Sequence, residues 1–166
     1  LKKLNEMTKS SRPPGYFYFL PTEAEWEYSA RGGKYLSEGY KYAGSDRLKD
    51  VGWFKDNSEE ETKPVGLKYP NQLDIHDMSG NVREWCSDWF GGNEYYEECK
   101  KKGIVENPLG PESGTNRVAR GGSLLGGARG CRVSYRYSLS PGDRDYILGF
   151  RLALSLQSDG RPSAFL

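Results

Sequence analysis

Hydrophobic and polar positions alternate, or recur at helical spacing, in only a few short stretches of this chain. Tyr16-Phe17-Tyr18-Phe19-Leu20 is an aromatic run of strand length. The next residues, Pro21 to Gly33, predict a helix from Glu23 to Arg31. Thr22 and Glu25 stand at capping-box spacing, where each side chain satisfies the other's free backbone N–H. Gly32 supplies the left-handed stop, and Trp26 and Ala30, four apart, share the buried face. Val82 to Phe90 alternates and reads as a half-buried strand. Val118-Ala119-Arg120-Gly121-Gly122-Ser123 leads into the last third, and Leu148 to Leu154 reads as one closing strand.

The remaining stretches lack either period. Residues 1–15 are polar, end in Arg12-Pro13-Pro14-Gly15 and read as an extended lead-in. Residues 34–72 read as irregular, 91–116 as a long loop with an acidic and then a basic patch, and 157–166 as a loosely structured tail. No internal repeat is present. The pattern predicts one domain over 16–156, with Trp26, Trp85, Trp89 and Phe150 in its core.

Composition narrows the class. A chain of 166 residues suits one domain that buries roughly 70% of its unfolded surface, so neither a metal nor a disulfide is needed to hold it. Mean hydropathy is −0.80, yet 13% of residues are aromatic, which excludes disorder for most of the chain. Lys plus Arg is 24 against 23 Asp plus Glu, a net charge of +1 that argues against a dedicated nucleic-acid or polybasic membrane binder. No apolar run approaches ~18 residues, the length of a spanning helix. Cys86, Cys99 and Cys131 form no Cys-x-x-Cys pair, and they read as buried free thiols with any pairing left open. His76 is the only histidine, which excludes a three-histidine metal site and reads as structural. Glu59-Glu60-Glu61 reads as a solvated loop.

The segment from Gly121 to Ile147 is unlike the rest. It contains no Lys, Glu, Gln, Met, Trp or Asn, and it sets Tyr135, Tyr137 and Tyr146 among Ser, Gly and Asp. Such a mixture resembles an antibody paratope, in which Tyr gives large contact area at small entropic cost and Ser and Gly adapt. Arg129, Arg132, Arg136 and Arg144 recur through it and read as a frame fixed by ion pairs.

Four blocks carry a family resemblance: Leu20 to Tyr28, Asp77-Met78-Ser79-Gly80-Asn81-Val82-Arg83-Glu84-Trp85 with Asp88-Trp89, Arg117 to Ser123, and Gly149-Phe150-Arg151. In this order they resemble the formylglycine-generating-enzyme (sulfatase-modifying factor) family. The resemblance implies an α+β, C-type-lectin-type fold with small twisted antiparallel sheets, few helices and long loops. It also implies that the chain begins partway into the family domain, without that domain's first strand and helix. The family's enzymes carry a copper-binding cysteine pair just after the Gly-Gly-Ser motif, where this chain has Cys131 alone. The resemblance therefore implies a non-enzyme that requires no cofactor. It further implies a loop whose oxygens at Asp77, Gly80, Val82 and Glu84 suit calcium, with a calcium-free turn held by Asn81 hydrogen bonds as the other reading.

One branch of the family fits the unusual segment. In diversity-generating retroelements, error-prone copying at adenines rewrites a C-terminal coding segment, turning Asn codons into Tyr, Ser, Gly, Asp, Leu and Ile. By this resemblance 121–151 is a variable ligand-binding region. Its diversified positions are Leu125, Gly126, Gly127, Gly130, Tyr135, Tyr137, Ser138, Leu139, Ser140, Gly142, Asp143, Asp145, Tyr146 and Ile147, with Leu124 as a further candidate. The implied protein is a monomeric surface lipoprotein anchored through a lipid outside this chain. It binds a protein or other ligand on host or neighbouring cells, and no nucleic acid. Two other readings stay open: an oxygen-dependent formylglycine-type enzyme with a metal at Cys131, and a calcium-dependent carbohydrate lectin.

Overall fold

A computed structural model describes residues 1–156, with the main chain alone at 36–38; the expected tail at 157–166 lies outside the described residues. The order is α1 (Lys2–Met7), β1 (Tyr16–Phe19), α2 (Glu23–Ala30), α3 (Leu48–Val51), β2 (Arg83–Trp89), α4 (Gly92–Lys102), β3 (Arg117–Arg120), β4 (Tyr137–Leu139), β5 (Leu148–Gly149) and β6 (Ala153–Leu156). Two 3₁₀ turns, Gly33–Glu38 and Ala128–Cys131, complete it. Helices and two small sheets in this mixture make the fold α+β, as expected.

The helix α2 forms where its caps predict. Thr22 accepts from the Glu25 N–H, and Glu25 Oε2 accepts from the Thr22 N–H at 2.8 Å. Trp26 and Ala30 are both buried. The sheet it covers has the order β4-β3-β2-β5. β3 pairs antiparallel with β2 (Glu84 opposite Arg120) and with β4 (Ala119 opposite Tyr137), whereas β5 runs parallel to β2.

Several expectations are corrected. The lead-in contains α1, whose buried Asn5 donates to the Tyr18 carbonyl and accepts from the Tyr18 N–H, so its amide acts as a strand partner for β1. The loop at 91–116 contains α4; Glu94 in its first turn and Lys100, Lys101 and Lys102 in its last complement the helix dipole. The closing strand is two strands in two sheets, because β6 leaves β5 to pair antiparallel with β1. The break is at Arg151, which turns inward to Glu84, with its Nη2 2.7 Å from Oε1. Phe150, one residue earlier, consequently faces solvent at 64% exposure and takes no part in the core. Trp85 and Trp89 are only half-buried. Strand parity gives the inner face of β2 to Glu84, Cys86 and Asp88 instead.

The interior is therefore partly ionic. Arg120, fully buried, pairs with Glu27 and lies 3.6 Å from Glu23. Arg136 also pairs with Glu23, and Asp88 Oδ2 caps α2 by accepting from the Glu23 N–H at 2.8 Å. Burial pushes the Asp88 carboxyl up from 3.8 to about 6. Between those values the folded protein keeps a proton that the unfolded chain releases, so stability falls as pH rises through that window. The loss is on the order of 3 kcal/mol. Asp88→Asn keeps the capping oxygen and removes the charge. Its stability relative to wild type is expected to climb as pH rises from about 4 to about 6; parallel unfolding profiles for the two proteins would refute this.

Candidate functional site

The unusual segment begins with a reversal. Gly121 and Gly122 both adopt positive φ, and a Cβ at Gly122 would crowd the Cys131 sulfur at 2.7 Å. The chain thus folds back on itself across a thiol. Leu124, Cys131 and Val133 point inward and are buried, while Leu125, Gly127, Arg129 and Arg132 between them, and Ser134 just after, are exposed. β4 then forms one edge of the four-stranded sheet. Ser140-Pro141-Gly142-Asp143 turns the chain, with the Asp143 N–H donating to the Ser140 carbonyl at 2.9 Å. The loop through 147 crosses to β5 at the opposite edge.

The scaffold holds this segment mostly by its main chain. Arg120 donates to the carbonyls of Val133 and Tyr135 at 2.8 and 2.7 Å. Ser58 Oγ donates to the Leu124 carbonyl at 2.9 Å. The Lys55 N–H donates to the Gly126 carbonyl, the Arg83 N–H to that of Ile147, and the Val133 N–H to that of Lys41. Main-chain acceptors and donors are the same whatever side chain a residue carries. Side-chain identity can change at these sites without breaking the anchors.

Of the fourteen residues expected to face a ligand, eight are exposed: Leu125, Gly127, Ser138, Ser140, Gly142, Asp143, Asp145 and Tyr146. Gly126, Gly130, Tyr135, Tyr137 and Leu139 are half-buried. Ile147 is a correction: it is 6% exposed, because it enters β5 and packs inward there. Leu124, the further candidate, is likewise a core residue.

Tyr135 and Tyr137 form a tilted ring pair with centroids 4.9 Å apart. The Arg83 guanidinium lies 4.4 Å from the Tyr137 ring centroid. The Tyr137 hydroxyl reaches the Gly130 carbonyl at 3.4 Å, and a Cβ at Gly130 would collide with that hydroxyl. These two positions are therefore coupled: any side chain at 130 displaces the Tyr137 ring.

The four arginines do not form the expected ion-paired frame. Only Arg136 is clamped, by Glu23 and by stacking 4.2 Å from the Tyr96 ring centroid. Arg129, Arg132 and Arg144 are exposed and make no ion pair among the described residues.

The expected calcium ligands do not fit a cation as a set. Both oxygens of the buried Glu84 carboxylate are taken, Oε2 by Trp26 Nε1 at 2.7 Å and Oε1 by Arg151 at 2.7 Å, so a cation there would face a guanidinium. Asp77 Oδ2 accepts from the Gly66 N–H, and its Oδ1 is buried without a hydrogen bond. Gly80 and Val82 flank Asn81, whose amide bonds both the N–H and the carbonyl of Lys63. The loop is a hydrogen-bonded junction, with the Gly80 N–H on the Gly121 carbonyl at 2.7 Å and the Leu124 N–H on the Asn81 carbonyl at 2.8 Å. Among the described residues, no three His, Cys, Asp or Glu cluster to hold a metal.

The thiols are free. Cys86 and Cys131 belong to separate core clusters. Burial pushes the Cys131 thiol up to about 11, away from the free thiolate that a nucleophile needs. His76 Nδ1 donates to the Lys68 carbonyl at 2.9 Å, a structural role.

A cavity of about 530 Å³ that the sequence did not announce lies between α2 and α4 and reaches Arg136, the residue between Tyr135 and Tyr137. Its polar floor is satisfied internally: Tyr96 donates to Glu23 at 2.7 Å, and Arg136 pairs with the same carboxylate.

This fold, with its Gly-Gly reversal and its Asn81 junction, defines a class. The chain belongs to the sulfatase-modifying factor family, matching the Sulfatase-modifying factor enzyme 1-like domain over residues 2–156, and has that family's C-type-lectin-type fold. Among solved structures it is similar to Treponema denticola variable protein 1, with 38% identity and a TM-score of 0.68 over 87% of this chain and 48% of that one. It is also 40% identical to a formylglycine-generating enzyme of Streptomyces coelicolor, over 81% of this chain and 46% of that protein. It is 35% identical to Chaperone protein LppX of Paenibacillus barcinonensis, over 71% of this chain and 42% of that protein. The chain thus spans under half the length of these curated relatives. The family includes enzymes, and a variable protein stands among its structural neighbours.

Proposed function

We propose that this chain is the recognition domain of a retroelement-diversified display protein and is not catalytic. The observation that carries the reading is the division within 121–147. Inward residues and main-chain hydrogen bonds fix the segment, while eight of fourteen expected variable side chains face solvent. Similarity to a Treponema denticola variable protein supports it. The buried, poorly ionised Cys131 thiol supports the non-catalytic part.

Tyr135 and Tyr137 act as the central anchors, Tyr146 as an outlying one, and the Ser and Gly positions set shape. The ligand is a protein or other molecule on a host or neighbouring cell. Monomeric display at the cell surface through a lipid anchor outside this chain belongs to the same proposal. No helix among the described residues is long and apolar enough to cross a membrane.

The test is sequencing of this gene across a population of its source organism. Substitutions confined to scattered codons of 121–151, traceable to adenines in a linked template, are the expected result. An invariant segment without a template copy would overturn the reading.

A further inference from the structure

Three arginines of the segment have no structural employment. Arg129 and Arg132 flank Gly130 and Cys131 at the 3₁₀ turn that the Tyr137 hydroxyl reaches, and Arg144 lies in the crossing loop beside Tyr146. All three are exposed, and none makes an ion pair or a side-chain hydrogen bond among the described residues. The nearby acids do not neutralise them. Asp143 Oδ2 accepts from the Ser140 N–H at 3.0 Å, and Asp145 Oδ1 from the Ile147 N–H at 3.2 Å, so both carboxylates serve the loop's own turns. Lys41 and Lys55, both exposed, border the same segment through their main-chain bonds to Val133 and Gly126.

We infer that Arg129, Arg132 and Arg144 are constant ligand contacts, and that this face takes an acidic protein surface. The inference rests on the display reading, because none of the three is among the diversified positions. Whatever the variable side chains become, Arg129 and Arg132 stay at the turn that the Tyr137 hydroxyl reaches, and Arg144 stays in the crossing loop. Guanidinium forks bind carboxylates two bonds at a time, and Arg with Tyr is the combination that dominates protein interfaces. Constant positive charge raises the encounter rate with acidic partners across the repertoire, and the variable residues then discriminate among them. A nucleic acid fits less well, since the whole chain carries a net charge of only +1.

The test uses the intact domain and four labelled probes: a short peptide alternating Glu and Ser, its Lys-for-Glu counterpart, a heparin fragment and a single-stranded oligonucleotide. The expected result is salt-sensitive binding of the acidic peptide over the basic one. Combining Arg129→Gln, Arg132→Gln and Arg144→Gln weakens it about tenfold or more while the unfolding midpoint stays in place. Equal binding of the two peptides, no binding of either, or an unaffected triple variant would overturn the inference. Tighter binding of heparin or oligonucleotide than of the acidic peptide would overturn the protein assignment. If the triple variant unfolds, Arg144→Gln alone gives the same readout, and an unchanged affinity there counts against the inference. Diversified codons together with an unaffected triple variant would sink this inference and leave the display reading standing.

Discussion

Replacing Arg120 by Met is expected to destabilise the domain by about 3–5 kcal/mol, enough to unfold much of it at moderate temperature. The side chain is fully buried between α2 and the 121–147 segment. It pairs with Glu27, lies beside Glu23, and donates to the carbonyls of Val133 and Tyr135. Met fills similar volume but leaves both carbonyls without their donor and Glu23 with Arg136 alone. Each stranded buried acceptor costs about 1–3 kcal/mol, so the desolvation outweighs the packing that Met preserves. Arg120→Lys retains charge without the planar fork and falls between the two. Denaturant titration measures all three proteins, and a loss below about 1 kcal/mol for the Met variant would contradict the role assigned to Arg120.

The second large effect falls on binding. Take a ligand selected on the wild-type domain from a display library. Tyr135→Ala and Tyr137→Ala are each expected to weaken it by about tenfold to a hundredfold, the usual cost of a buried aromatic anchor. Tyr146→Ala, at the exposed loop, changes stability by no more than about 0.5 kcal/mol. Gly130→Ser acts on the same ligand indirectly, since its Cβ displaces the Tyr137 ring from its place beside Arg83. Titration calorimetry paired with thermal unfolding separates the effects. Unchanged affinity after both central tyrosines are removed would end their assignment as anchors.

What the sequence disclosed follows physical range. The helix α2 was legible because its signals are local: a capping box, a following glycine, and Trp26 and Ala30 four apart. The helix α1 was not, because six residues give too short a period, and it is held instead by the Asn5 contacts to Tyr18. The helix α4 has no capping side chain and buries no residue completely, so no local start signal announced it, and the cavity it roofs was hidden with it. Alternation in β2 was read correctly, but not its polarity. Large aromatics are usually assigned inward, whereas here the inner face is reserved for Glu84, held by Arg151, and Asp88, which caps α2 at the Glu23 N–H. Composition set 121–147 apart from the rest of the chain, and of the fourteen positions that the family resemblance named there, eight are exposed. Neither showed that Ile147 is a core residue, nor that three of the four arginines make no ion pair among the described residues, because both depend on long-range geometry.

The central claim is that scaffold and face are energetically separate. Its most direct measurement is unfolding of a variant in which Leu125, Gly127, Ser138, Ser140 and Tyr146 are replaced together by other small or polar residues. The comparison is a variant with Leu124, Cys131 and Val133 changed to Ala. The account predicts that the first keeps its stability to within about 1 kcal/mol while the second loses several, the cost of emptied core sites. Comparable losses in the two variants would contradict it.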